Sequence, residues 1–309
     1  MTNLKKLGLT ALAGSLVATT GYAGALDIAG GAKVTYVSQD ETEVTNNPFS
    51  MTRDITFSGS GEMDNGMTIS YGLTESAGAF SSSSLKLDMG DAGTLSFANG
   101  TAAGHGISAY DDKMPTAAEQ VWDDLDGEAN GIVSISKANT IGYGTTFGGA
   151  NLSLSYNAHG GATTSESSKS VAVDYAPMDG VMVFAAIADK AAGNDAGTDL
   201  YTVGGTYTAG ATTVGIQLSD VDVAADGGDA DRTHIAASFA VNEDLSVSWG
   251  MSTVEFESTS KTDQEDTGFS VSYTMGSMTI AAAANNSDNV GGTSGTDDSH
   301  KEMSVAFAF

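Results

Sequence analysis

Residues 242–251 read Asn-Glu-Asp-Leu-Ser-Val-Ser-Trp-Gly-Met. The Asn and Asp suit the positive φ of a tight turn. Beyond them Leu245, Val247, Trp249 and Met251 alternate with Ser246, Ser248 and Gly250, the period of a strand with one apolar face. The same unit recurs along the chain. Leu26, Ile28, Ala32, Val34 and Tyr36 make the first set, with Asp27, Lys33 and Thr35 opposite. Later sets are Met67, Ile69, Tyr71, Leu73; Leu85, Leu87, Met89; Leu152, Leu154, Tyr156; Val214, Ile216, Leu218; and Met303, Val305, Phe307, Phe309.

The connections between these sets alternate in length. Seven tight turns are expected at 64–66, 91–93, 148–150, 178–180, 209–211, 242–244 and 275–277, each marked by Gly, Asn or Asp. Between them lie eight longer polar connections, around 39–50, 75–83, 99–138, 158–169, 189–198, 219–232, 256–266 and 286–299. The flanking segments then make sixteen strands, with both ends of the array on the short-turn side. Pro48, Pro115 and Pro177 all fall in connections, so no strand has to tolerate a missing ladder donor.

Composition narrows the setting. The 309 residues hold 12 Lys and Arg against 39 Asp and Glu, a formal charge of -27, which repels phosphates and argues against a nucleic-acid partner. Cysteine is absent, which excludes a disulfide framework, thiolate zinc sites and a cysteine nucleophile. Residues 1–25 carry Lys5 and Lys6, an apolar run from Leu7 to Ala18 and small residues at Ala23 to Ala25, the pattern of a secretory signal peptide cleaved before Leu26. The longest later apolar run, Val181 to Ala188, is eight residues, far short of the ~20 that cross hydrocarbon as a helix.

Sixteen alternating strands can form a soluble or surface-attached all-β protein or a closed membrane barrel. Charge placement favours the barrel. The apolar parity of nearly every strand is uncharged, whereas Lys33, Lys86, Asp88 and Asp174 take the other parity beside Ser, Thr and Gly. In a bilayer the apolar residues face lipid, the polar ones face a wet lumen, and closure satisfies every backbone group. Tyr36, Phe57, Tyr71, Tyr143, Tyr156, Tyr175, Tyr207, Trp249 and Tyr273 lie on the apolar parity, where interfacial girdles are expected. The reading is all-β: a transmembrane sixteen-stranded antiparallel β-barrel over 26–309, with short periplasmic turns and long external loops.

The signal segment, the Leu26-Asp27-Ile28-Ala29-Gly30 start, the turn from Phe57 to Gly66, the short-long rhythm, the enlarged third long connection and the terminal Phe309 together resemble the trimeric general-diffusion porins of Gram-negative outer membranes, of the alphaproteobacterial type. The resemblance implies that the third loop, 99–138, folds into the barrel and narrows it. Its acids, Asp111, Asp112, Glu119, Asp123, Asp124, Asp126 and Glu128, would face a basic wall for which Lys33, Arg53 and Lys86 are the candidates. Parity turns Lys33 and Lys86 inward but sets Arg53 on the face of Ile55 and Phe57, so Arg53 reaches the lumen only through a bulge and otherwise caps the outer rim. Within the loop Met114, Val121, Trp122, Leu125 and Ile132 could fasten it to the inner wall. The resemblance further implies a homotrimer, contact with outer-membrane lipid and lipopolysaccharide, recognition of the C-terminal strand and Phe309 by the barrel-assembly machinery, and passage of small hydrophilic solutes. Few fixed cations among many carboxylates lead to an expected cation preference; a substrate-specific channel is the rival within transport. No cofactor is expected, although loop carboxylates such as Asp220, Asp222, Asp226, Asp229 and Asp231, or Asp297 and Asp298, are candidates for weakly bound Ca2+. No catalytic signature is present, so the chain is not read as an enzyme. His105, His159, His234 and His300 are read as scattered polar positions.

Overall fold

The structure, a computed structural model, describes residues 26–39, 47–100, 104–132, 139–158, 167–189, 198–223 and 227–309. The signal segment 1–25 lies outside the described residues. The strands are β1 (Leu26–Gln39), β2 (Phe49–Glu62), β3 (Thr68–Ser76), β4 (Ala79–Asp88), β5 (Thr94–Gly100), β6 (Thr140–Phe147), β7 (Ala150–Asn157) and β8 (Ser168–Met178). They continue with β9 (Val181–Asp189), β10 (Thr198–Ala209), β11 (Thr212–Val223), β12 (Ala230–Ala240), β13 (Leu245–Phe256), β14 (Gln264–Met275), β15 (Met278–Asp288) and β16 (Asp298–Ala308). Each pairs antiparallel with its sequence neighbours, and β1 closes the barrel against β16. At the seam Gly30 and Phe309 exchange both backbone hydrogen bonds, at 2.8 and 2.9 Å. A Cβ at residue 30 would sit 2.7 Å from the Phe309 ring, so glycine is what lets that ring lie on β1.

The side chains point as the alternation requires. Val34, Tyr71, Leu85, Tyr156, Val203, Trp249 and Phe307 stand on the outer face and are exposed, while Thr35, Ser155, Gln217, Ser248, Ser270 and Ser304 turn inward and are buried. Leu154, Val247 and Val305, which a soluble sandwich would bring together in a dry core, lie on the outward parity of β7, β13 and β16 and remain partly exposed. Strands β10 to β16 run 11 or 12 residues. At ~3.4 Å per residue and a tilt near 40°, that length crosses an apolar band of about 25 Å.

Three expectations on the connections change. Pro177 is not in a connection but within β8, at the irregularity between Tyr175 and Met178 where the β8–β9 register shifts, so its missing N–H falls at a bulge and not in the regular ladder. The stretch around 75–83 is a two-residue turn, because Ala77 and Gly78 take positive φ (52° and 86°) and the serines after them belong to β4. The stretch 219–232 is largely strand, so Asp220, Asp222 and Asp231 are outer-face residues of β11 and β12, with Asp220 directly opposite Asp231; Asp226 lies outside the described residues. The seven tight turns fall where the glycines and asparagines place them.

Candidate constriction site

The third long connection runs from β5 to β6 and, over residues 104–132, lies on the inner wall. Its first anchor is the short 3-10 helix Gly106–Tyr110. Gly106 N–H donates to Ser153 Oγ at 2.9 Å and Ile107 N–H to Ser170 Oγ at 3.1 Å. Tyr110 stacks on Phe184 of β9 with ring centroids 4.8 Å apart, and its hydroxyl donates to Asp174 at 3.0 Å. Ile107, Tyr110, Met114 and Ile132 are buried with Ala172, Phe184, Ala186, Ala188, Leu200 and Ala236 of the wall. The eight-residue apolar run Val181–Ala188 therefore has a cause: Val183 and Ile187 face outward, and Phe184, Ala186 and Ala188 face the loop.

Further along, the loop follows a track of inward glycines. A Cβ at Gly215 would meet Pro115 at 2.7 Å, and one at Gly250 would meet Val121 at 2.8 Å. Ala117 and Ala118 N–H donate to Ser248 and Ser270 Oγ at 2.9 and 3.1 Å, and Asn285 Nδ2 donates to Gln120 O at 2.9 Å. Gln264 on β14 both receives Glu128 N–H (3.0 Å) and donates to Glu128 O (2.8 Å). Neutral hydroxyls and amides thus satisfy loop backbone groups that would otherwise be buried unpaired.

The charged residues divide into four groups. Glu128 pairs with Arg232 of β12 at 2.8 Å; Arg232 is almost wholly buried and also donates to Ala129 O. Lys33 is held by Glu302 of β16 at 2.7 Å and stands 4.0 Å from Glu119. Asp124 lies 3.6 Å from His300, and Asp126 N–H donates to Asp298 Oδ2 at 2.7 Å. Asp111, Asp112 and Asp124 form an acidic group around Asp123. Burial pushes the Asp123 carboxyl up to about 6, with Asp112 and Asp124 adding to the rise against the Gln120 N–H that it accepts. Burial also raises Glu119 to about 7, with Glu302 adding to the shift and Lys33 opposing it. Asp112, Asp124 and Asp126 are the exposed acids of the loop.

The basic candidates do not stand together. Lys33 is at the tip of the loop, within a carboxylate group. Lys86 projects from β4 into the lumen, exposed, and its charge reaches His105, whose Nε2 lies 2.6 Å from Ser96 Oγ. Arg53 keeps its outward parity, is exposed and reaches the Ala77–Gly78 turn at the rim. Phe309 sits at the closing seam with its ring exposed on the outer face. Several residues of the site are not singled out by the sequence reading: Ile107, Tyr110, Arg232 and Glu302; Asp298, read there as a loop carboxylate for weakly bound Ca2+, accepts the Asp126 N–H. His234 and His300, which the sequence reads as scattered polar positions, are buried on the inner wall beneath the loop, with Trp122 against the His234 ring. Parity carried the signal, since Arg232 and His234 alternate with outward Ile235, and His300 and Glu302 with outward Met303. His159 and residues 133–138 lie outside the described residues.

Comparison with known proteins agrees with this architecture. Residues 8–309 match the family model described as Gram-negative porin. Among solved structures, the anion-selective porin from Comamonas acidovorans superposes with a TM-score of 0.68 at 17% identity, covering 93% of this chain and 100% of that one. In vitro folded OmpT, an outer membrane protein of Vibrio cholerae, gives 0.71 at 13% identity, over 93% of this chain and 98% of that one. A mutant porin of Rh. blastica gives 0.63 at 14% identity, over 92% and 100%. A search of curated proteins finds no match.

Proposed function

The chain belongs to the Gram-negative porin family and is an outer-membrane porin; on that premise we propose that its channel favours cations and passes small hydrophilic solutes by diffusion. One observation carries the selectivity. The loop pressed on the inner wall presents Asp112, Asp124 and Asp126 to water, while Lys33, the β1 cation facing the loop, is already bound by Glu302 and Lys113 within the loop lies over the Tyr110 ring. Fixed carboxylates in a narrow aqueous passage raise the local cation concentration and lower that of anions, an effect that fades as the Debye length shrinks from about 10 Å at 0.1 M salt to about 3 Å at 1 M. Lys86 on the opposite wall makes the field transverse, which orients water and polar solutes and disfavours apolar ones.

The Comamonas porin is anion-selective, but at 17% identity the likeness is one of fold, and the sign of the field follows from each chain's own side chains. The test is the reversal potential across a planar bilayer in a KCl gradient. The expected sign is that of K+ permeation, larger at low than at high ionic strength; a chloride sign would overturn the selectivity and leave the architecture standing.

The assembly reading extends this. Residues 1–25 direct export and are removed, Phe309 and β16 address the barrel-assembly machinery, and the mature barrel sits among outer-membrane lipid and lipopolysaccharide as a homotrimer. The arc β3–β7 supports the last point. Its strands have 7 to 10 residues, and the shortest, at ~3.4 Å per residue and 40° tilt, rise only about 18 Å. A wall that low suits contact with other copies. Light scattering of the detergent-extracted complex should count three.

A further inference from the structure

We propose that Glu119, Asp124 and His300 form a binding site for a divalent ion of the zinc class, bridging the constriction loop to the last strand. One ligand atom from each lies within 4.8 Å of the others. Glu119 and Asp124 come from the loop and His300 from the inward face of β16. Two of the donors are buried and unmatched. The His300 side chain is 4% exposed, and neither ring nitrogen has a hydrogen-bond partner among the described residues. Its Nε2 points at Asp124 Oδ2 from 3.6 Å, too far for a hydrogen bond. Glu119 Oε2 is likewise buried without a hydrogen-bond partner. Buried polar atoms are nearly always satisfied, so two such unpartnered side chains within 4.8 Å of each other and of an exposed carboxylate call for a shared partner.

Charge and ligand type identify that partner. Lys33 is committed to Glu302 at 2.7 Å and only grazes Glu119 at 4.0 Å. Glu119 and Asp124 then offer two carboxyl groups beside the His300 imidazole, and a dication balances the charge they carry when ionised. An imidazole donor selects zinc, cobalt, nickel or copper over calcium and magnesium, which take oxygen ligands. A tetrahedral ion at about 2.0–2.1 Å from each donor needs donors ~3.3 Å apart. The His300–Asp124 pair is within a few tenths of an ångström of that spacing, and the longest separation closes with a swing of about 1.5 Å by a glutamate side chain. Asp124 is exposed to the lumen, so water completes the shell. A bound ion would neutralise two lumenal carboxylates and fasten the loop to β16; this consequence, unlike the binding itself, rests on the channel reading above.

The site is tested on folded full-length protein in detergent, stripped with chelator and dialysed against ZnCl2 in the presence of a hundredfold excess of CaCl2. The expected result is one zinc ion per chain, with affinity at least about tenfold weaker in H300A and in D124N and unchanged in D64N, a carboxylate of the β2–β3 turn. His300 is buried, so D124N, an exposed change that leaves the fold alone, keeps the test decisive. Absence of saturable zinc uptake, or uptake equal in the wild type and D124N, would overturn the site. In planar bilayers micromolar ZnCl2 should lower single-channel conductance in the wild type and not in D124N. Zinc bound with the expected determinants but without effect on conductance would refute its place in the conducting passage while leaving the ligand set intact.

Discussion

The inner wall consists of two arcs that obey the same alternation and carry different chemistry. From β5 round through β16 to β1 the inward residues fit the loop: Ser96 and Gly142 lie against His105, Phe184 and Leu200 receive its apolar side chains, Gly215 and Gly250 make room for Pro115 and Val121, Ser248, Ser270, Gln264 and Asn285 bind its peptide groups, and Lys33 faces Glu119. From β2 to β4 the inward residues Thr56, Thr74, Ser84 and Lys86 meet water or one another. A porin wall is therefore not simply polar inside. Its inward residue is chosen by whether water or the loop lies opposite, and the loop-covered arc behaves as a protein core laid on the inside of a barrel.

The most damaging change to this contrast is Phe184→Asp. Removing a buried phenylalanine costs about 3–5 kcal/mol, and the unpaired carboxylate adds a desolvation penalty. The barrel should still form, because β9 keeps its ladder and its lipid face, but the loop should leave its seat. Single-channel conductance is expected to rise severalfold and selectivity to collapse, with heat-modifiable mobility on gels retained. Ser84→Asp, the matched change on the uncovered arc, should leave conductance within a small factor. Equal effects from the two would abolish the distinction between arcs.

A smaller effect is expected of Glu128→Ala, which leaves Arg232 buried beneath the loop with only carbonyl partners. Breaking a buried ion pair from one side costs about 3–5 kcal/mol; Glu128 is itself 43% exposed, so about 1–3 kcal/mol is the appropriate range here. The loss should fall on the loop and appear as excess open-channel noise, with little change in the melting of the barrel. Lys86→Glu is expected to act the other way round. It touches no loop seat, so stability should hold, while the K+ over Cl- permeability ratio rises about two- to threefold in 0.1 M salt and returns to the wild-type value near 1 M.

The contrast also explains what could be read in advance. Strand positions and facing were legible because alternation and turn chemistry are local: Asn242 to Met251 announces its turn and its two faces within ten residues. The turn at Ala77–Gly78 was obscured because a run of serines reads as a loop, whereas in β4 the hydroxyls are wall residues. For the loop, composition found the acids and most of the apolar anchors but not their seats. Which inward residues it covers is a tertiary fact, and Lys33, Arg232 and His300 acquire acidic partners only through a contact more than eighty residues away in sequence. One trace of that contact was in the sequence all the same. Val181 to Ala188 is the place where alternation fails because both faces are apolar, and a strand with lipid outside and apolar residues inside must have something dry lying over it.

The smallest expected effects offer the sharpest test, because they compare one kind of bond on both arcs. Thr56 and Thr74 share a hydroxyl hydrogen bond of 2.9 Å on the uncovered arc, where lumen water can replace either partner. Thr56→Val should therefore cost at most about 0.5–1 kcal/mol, the net worth of a solvated hydrogen bond. Ser248 shares a bond of 2.6 Å with Ser270 and also accepts the Ala117 N–H beneath the loop. Ser248→Ala leaves that N–H unmatched in a site from which the loop excludes water, at about 1–3 kcal/mol. Denaturant titrations of the two variants, read by barrel melting and by protease nicking of the loop, should place Ser248→Ala below Thr56→Val in stability, with its loss confined to the nicking assay. If both variants lose the same amount in the same assay, water reaches both arcs alike, and the covered arc is not the core that its side chains make it.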